Sequence, residues 1–143
     1  MQGFFQQYLL LYRPLISKLN EVLGEFDLSY SLWQIIFLVK NNGSCSLVEI
    51  SNHFNVEKPT ITRTVRRLEE KRIVEVVPSN DKREKVIKLT DTGEELYRTC
   101  RKKITDLEYS VMGKIPEIEQ YAAFHMLQKI RENLIYKEGS KNE

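Results

Sequence analysis

Arg63 and Arg66 lie three residues apart in the run Lys58-Pro59-Thr60-Ile61-Thr62-Arg63-Thr64-Val65-Arg66-Arg67-Leu68, which contains no acid. In a helix turning about 100° per residue, Ile61, Val65 and Leu68 share one side. Pro59, Arg63 and Arg66 fall opposite, with Thr62 and Arg67 beside them. A guanidinium is a planar fork that fits the two acceptors of a guanine edge or a phosphate. A threonine beside it either donates to phosphate or lays its methyl on thymine. The chemistry offered is recognition of a polyanion. The plainer reading is a solvated face whose arginines pair with Glu69 and Glu70. Such pairs contribute only a few tenths of a kcal/mol, about 0.2–0.5, and both acids sit at the C-terminal end, leaving the N-terminal half free of acids after Glu57.

A second basic element follows. Ile73 to Val77 and Lys85 to Leu89 are β-rich runs separated by turn-forming residues, which predicts a hairpin with Asn80-Asp81-Lys82-Arg83 at its tip. Asp81 lies two residues before Arg83, close enough to accept a hydrogen bond and hold the guanidinium at a fixed angle. An arginine oriented in advance loses less rotamer freedom on entering a narrow, electronegative minor groove. Lys82 and Lys85 would then supply phosphate contacts. Asp81 as an ordinary turn residue is the alternative.

Charge segregation agrees with these two elements. Lys58 to Lys88 holds ten Lys/Arg against five Asp/Glu, a local net of +5, which leaves −3 for the rest of a chain of net charge +2. One polyanion-facing surface produces such a pattern, although mixed solvated faces also carry charge runs. The 143 residues suffice for one domain with a core. Met1-Gln2-Gly3-Phe4 lacks the basic start of a secretory leader, and the longest apolar runs, such as Ile35 to Val39, are too short to span a bilayer. Cys45 and Cys100 make no disulfide framework, so a reduced, cytoplasmic setting is expected.

The remaining elements must hold the two basic ones in place. Apolar residues from Phe4 to Phe26 recur at helical spacing, with Pro14 predicting a kink or a new first turn. Ser31-Leu32-Trp33-Gln34 resembles a capping box opening a helix to about Asn41, and Asn42-Gly43 stops it. Ser46-Leu47-Val48-Glu49 repeats that signature for a short helix ending near His53 to Asn55, and the arginine-bearing helix runs from about Lys58 to Lys71. Thr90 caps a helix to about Met112, with Leu96, Cys100, Ile104, Leu107 and Val111 inward. Pro116 opens a last helix with Ile118, Tyr121, Phe124, Leu127, Ile130 and Leu134 apolar. The polar residues from 139 to 143 are expected to fray. Helix, short helix, arginine helix and basic hairpin form the order of a winged helix-turn-helix. The expected fold is therefore mainly α with a small β-hairpin wing. A lobe at 28–90 is flanked by helices at 1–27 and 91–138 within a single domain over 1–143. Two long apolar helical systems are more than one small lobe can cover, so they are expected to form a homodimer interface; packing within one subunit is the alternative.

Val56-Glu57-Lys58-Pro59-Thr60-Ile61-Thr62-Arg63, Leu68-Glu69-Glu70-Lys71, Asn80-Asp81-Lys82-Arg83 and Leu89-Thr90-Asp91-Thr92-Gly93 together resemble the MarR family of bacterial transcriptional regulators. The resemblance extends over nearly the whole chain. It implies a homodimer joined by N- and C-terminal helices, recognition helices in successive major grooves of duplex DNA, and wing arginines in the minor groove. By position, Thr60, Thr62, Arg63 and Arg66 match recognition-helix contacts, and Asp81 and Arg83 match the wing. Two positions depart: Arg72 stands where the family often has glycine, predicting a turn of another shape, and Val76 stands where an arginine is usual.

The resemblance also implies a response to small, often aromatic anions in a cleft between the dimer helices and the DNA-binding lobe. Tyr8, Tyr12, Trp33, Phe37 and Tyr97 are the residues to line it; ordinary core packing is the alternative. Some relatives sense oxidants through an N-terminal cysteine, which this chain lacks; Cys45 and Cys100 read as small buried hydrophobes. His53 and His125 belong to no metal-ligand cluster, no cofactor is implied, and no nucleophile–base pair or phosphate loop suggests an enzyme. The sequence therefore predicts a repressor acting as a homodimer on a pseudo-palindromic operator. Its DNA-binding residues are Lys58, Pro59, Thr60, Thr62, Arg63, Arg66, Arg67, Asp81, Lys82, Arg83 and Lys85. The rival reading is a winged-helix protein-interaction module whose basic face docks an acidic partner.

Overall fold

The computed structural model describes residues 2–78 and 83–140, with side chains described to residue 136. Its elements are α1 (Phe4–Gly24), α2 (Tyr30–Asn42), β1 (Cys45–Ser46), α3 (Leu47–Phe54), α4 (Lys58–Glu70), β2 (Val74–Val76), β3 (Val86–Leu89), α5 (Asp91–Met112) and α6 (Glu117–Ser140). The chain divides into two compact units, residues 1–104 and 105–143. The first holds the core. Ile35, Ile36 and Val39 of α2, Ile50 of α3, Ile61, Val65 and Leu68 of α4, Ile87 of β3 and Cys100 of α5 are all at most 2% exposed. Burying each large aliphatic side chain contributes about 1.5–3 kcal/mol, which makes α2 the post around which the helix-turn-helix is assembled.

Each helix end has an identifiable cause. Ser46 Oγ accepts from Glu49 N–H at 3.0 Å and Glu49 Oε1 accepts from Ser46 N–H at 3.5 Å, the reciprocal capping box that starts α3. The α3–α4 turn passes through Asn55 in a left-handed conformation (φ 53°), closed by Ser51 Oγ donating to the Val56 carbonyl at 2.6 Å. Pro59 lies in the first turn of α4, where a missing N–H costs nothing. The start of α2 differs from expectation. Ser31 caps nothing; the helix opens at Tyr30, whose N–H donates to Asn20 Oδ1 of α1 at 2.8 Å. A partner ten residues away left no local sequence signal. Pro14 is accommodated inside α1, which is continuous from Phe4 to Gly24.

The sheet contains one strand more than the hairpin predicted. The order is β1-β3-β2, all antiparallel, with Cys45 opposite Ile87 and Val76 also opposite Ile87 on the other side. Two residues are too few for an alternation pattern, so β1 was illegible until β3 lay beside it. One further expectation along the last helices changes: Val111 is 65% exposed rather than inward.

Arg72 gives the clearest departure. The turn after α4 keeps the left-handed form that glycine would favour, with Arg72 at φ 59°. Arg72 N–H donates to the Glu69 carbonyl and Ile73 N–H to the Leu68 carbonyl, and Ile73 and Leu68 are both buried. These are the paired bonds and apolar clasp of a Schellman ending. The tertiary clasp therefore overrides a left-handed penalty of about 1–2 kcal/mol. Arg72→Gly is expected to raise stability by about 0.5–1 kcal/mol, the penalty less the added freedom of the unfolded chain. A higher urea midpoint at unchanged m-value is the readout.

Candidate nucleic-acid interface

The exposed side of α4 is organised by its own side chains. Ile61, Val65 and Leu68 are buried as the helical wheel requires, while Arg63, Arg66 and Arg67 are exposed. Among the described residues none of these three arginines is in a salt bridge, so the pairing with Glu69 and Glu70 does not form. Thr62 Oγ1 donates back to the Lys58 carbonyl at 3.0 Å and Thr64 Oγ1 to the Thr60 carbonyl at 2.9 Å. Arg63 Nη2 donates to Thr60 Oγ1 at 3.4 Å, tethering the guanidinium over the first turn. Lys58, Pro59, Thr62 and Arg63 surround a shallow hollow there. The first turn carries no acid, so the positive end of the helix macrodipole adds to the basic side chains.

The wing is described in part. β2 and β3 pair from Val74–Leu89 to Val76–Ile87, and Val77 N–H donates to the Val86 carbonyl at 2.8 Å. Arg83 is exposed. Asp81 and Lys82 lie outside the described residues, so the expected Asp81–Arg83 bond does too. Val76, where the resemblance leads one to expect an arginine, is 49% exposed at the end of β2. The Lys85 ammonium is paired with the carboxylate of Glu69. Arg67 lies near enough to Asp27 for its charge to lower the carboxyl pKa, after the larger effect of Lys71, which is 2.5 Å from Asp27 Oδ2.

The proposed cleft residues separate into two groups. Trp33 and Tyr97 stack, with ring centroids 5.5 Å apart and planes 11° apart, and Phe37 tilts against both at 6.3 Å. Lys40 Nζ lies 5.8 Å from the Tyr97 ring centre and the Arg101 guanidinium 5.4 Å from that of Phe37. Lys40 is also paired with Glu94 at 2.6 Å. Tyr8 and Tyr12 do not join this trio. They are about half exposed on α1, and their influence is on Tyr30, whose hydroxyl pKa is raised mainly by burial. Both cysteines are buried; burial raises both thiol pKa values, that of Cys100 to about 11, which leaves little thiolate near neutral pH. Among the described residues no three His, Cys, Asp or Glu side chains converge to hold a metal, and no helix is long and apolar enough to cross a membrane.

A short capped helix, a left-handed turn, an arginine-faced helix and an antiparallel hairpin define a winged helix-turn-helix protein. The MarR family model matches residues 28–85, the segment from α2 to the start of β3. A helix-turn-helix-type transcriptional regulator of Bacillus subtilis, YwoH, is 33% identical over 81% of this chain and 85% of its own length. MarR of Staphylococcus aureus, solved with salicylate and kanamycin, superposes with a TM-score of 0.86 at 28% identity, covering 94% of this chain and 92% of that one. A MarR/EmrR family regulator from an Acinetobacter species gives a TM-score of 0.82 at 30% identity over 92% and 94% of the two chains. The chain belongs to the MarR family of transcriptional regulators.

Proposed function

We propose that this chain is a cytoplasmic homodimeric repressor that binds a pseudo-palindromic operator. Each α4 enters one of two successive major grooves, and each wing reaches the neighbouring minor groove. The observation that carries the reading is the pair Arg63 and Arg66. Both are exposed and outside any salt bridge among the described residues, on the helix face opposite Ile61, Val65 and Leu68. Lys58, Pro59, Thr60, Thr62 and Arg67 complete the major-groove and phosphate contacts, with Asp81, Lys82 and Arg83 acting from the wing.

Dimerisation is supported by apolar side chains that the chain itself leaves uncovered. Leu9, Leu10, Leu11 and Tyr12 on α1 are 48–60% exposed, and Ile118, Tyr121, Phe124 and Leu127 on α6 are 47–79% exposed. Apolar surface on this scale signals a protein interface. Binding of a small aromatic anion beside Trp33, Phe37 and Tyr97 relieves repression in this reading. The aromatic trio and the nearby Lys40 and Arg101 support it, as does the salicylate in the staphylococcal structure.

Selection of bound sites from random duplexes is expected to recover an inverted repeat whose half-sites lie about one helical turn apart, near 10 bp centre to centre. Sedimentation should show a dimer on it, and salicylate should displace the duplex. A dimer with no salt-dependent preference for any duplex sequence would overturn the reading and favour docking of an acidic protein.

A further inference from the structure

Lys85 stands where three elements meet. Its carbonyl accepts the N–H of Leu47, the first residue of α3, at 3.1 Å. Its side chain reaches Glu69 in the last turns of α4. The next residue, Val86, begins β3, and its carbonyl holds Val77 on the opposite arm of the wing. Glu69 Oε1 is sealed from solvent and has no hydrogen-bond partner besides this ion pair among the described residues. Glu70, one residue on, is exposed and outside any salt bridge among the described residues. The wing base is thus held to both helices of the helix-turn-helix: its first arm follows α4 through the Ile73 N–H to Leu68 carbonyl bond, and its second arm is joined to α4 by the Glu69–Lys85 charge pair.

We propose that Glu69 and Lys85 form a strut that sets the angle of the wing to α4, which makes both of them positioning residues for DNA binding and gives Lys85 no phosphate contact. The proposal rests on the DNA-binding reading. Arg63 and Arg66 project from α4, and Arg83 precedes Lys85 by two residues. These guanidiniums engage one duplex together only if the hairpin leaves α4 at a fixed angle. The backbone bonds at Lys85 and Val86 hold the hairpin to itself and to α3, and the Ile73 N–H to Leu68 carbonyl bond ties its first arm to α4; the Glu69 carboxylate adds the side-chain link from the second arm to α4.

The strut reverses the sign expected from simple electrostatics. An acid near a DNA-facing surface repels phosphate, so neutralising it should tighten binding. If Glu69 orients the wing, Glu69→Gln weakens binding although the protein becomes more positive. The test uses the full chain with a 30-bp duplex recovered by selection and a 30-bp mixed-sequence duplex, each titrated across salt concentrations. Glu69→Gln and Lys85→Gln are each expected to weaken the selected duplex about tenfold, on the scale of coupled neighbours, and the double variant no further. The swap Glu69→Lys with Lys85→Glu should recover most of the affinity, Glu70→Gln should not weaken binding, and the salt slope of Lys85→Gln should match the wild type. Tighter binding by Glu69→Gln, or a slope lowered by about one in Lys85→Gln, the signature of a lost phosphate contact, would overturn the strut. A DNA-free arm separates this from failure of the DNA reading. Hydrogen exchange at the Val77 and Leu47 amides should quicken severalfold in both single variants and not further in the double, with core amides of α2 unchanged. Unaltered exchange at Val77 and Leu47 sinks the strut even if the wild type binds no duplex at all.

Discussion

Gly93→Ala is expected to destabilise the protein by about 3 kcal/mol, against the sign of helix propensity, which favours alanine over glycine by about 1 kcal/mol. An added Cβ would meet the Ile73 carbonyl oxygen at 2.1 Å and its carbon at 3.1 Å, a collision with backbone that no rotamer relieves. The carbonyl cannot retreat freely. It accepts Thr90 N–H at 3.0 Å and Thr90 Oγ1 at 3.2 Å, while Thr90 Oγ1 also accepts Gly93 N–H at 3.0 Å. Separating α5 from β2 would strain or break these bonds, each with a net worth of about 0.5–1.5 kcal/mol. Urea unfolding measures the loss directly. An alanine variant as stable as the wild type would show that the first turn of α5 moves away from Ile73 without cost. Because Ile73 leads straight from the α4 ending into the wing, the same substitution is expected to weaken DNA binding even where the variant remains folded.

Arg63→Ala is expected to lose about 1–3 kcal/mol of affinity for the selected duplex, roughly 5- to 150-fold in Kd, the scale of one bidentate base contact. The fold should be indifferent. Arg63 is exposed, its one side-chain hydrogen bond among the described residues is a 3.4 Å contact to Thr60, and alanine is the better helix former. A sequence-reading contact also predicts that the mixed-sequence duplex is affected less than the selected one. Arg63→Lys should recover only part of the difference, because an ammonium keeps the charge and loses the fork. Equal losses on both duplexes, with full recovery by lysine, would reduce Arg63 to a phosphate contact. No change on either would remove it from the interface.

Much of this protein was legible in its local chemistry. The Ile61–Val65–Leu68 stripe, the Ser46/Glu49 reciprocal cap and Thr90 at the head of α5 are decided by neighbours three or four residues away, and the structure forms all three. Features closed by distant partners were misread or missed. The Asn20–Tyr30 bond starts α2 at Tyr30, one residue before the Ser31–Gln34 signature. Cys45–Ser46 is a strand only because Ile87 and Val86 lie beside it. Tyr8 and Tyr12 share the aromatic character of Trp33, Phe37 and Tyr97, and composition could not show that the last three pack ring against ring.

From the sequence alone came the helix periodicities, the caps, the basic segment from Lys58 to Lys88 and the family resemblance, because each depends on residue type and short spacing. Three matters waited for the tertiary structure: that Arg72 holds a left-handed turn, that Gly93 leaves room for the Ile73 carbonyl, and that Lys85 answers to Glu69. For Gly93 and Lys85 the partner lies sixteen or more residues away and leaves no imprint on local pattern; for Arg72 the bonds are local, but burial of Ile73 and Leu68 in the folded core decides that they form.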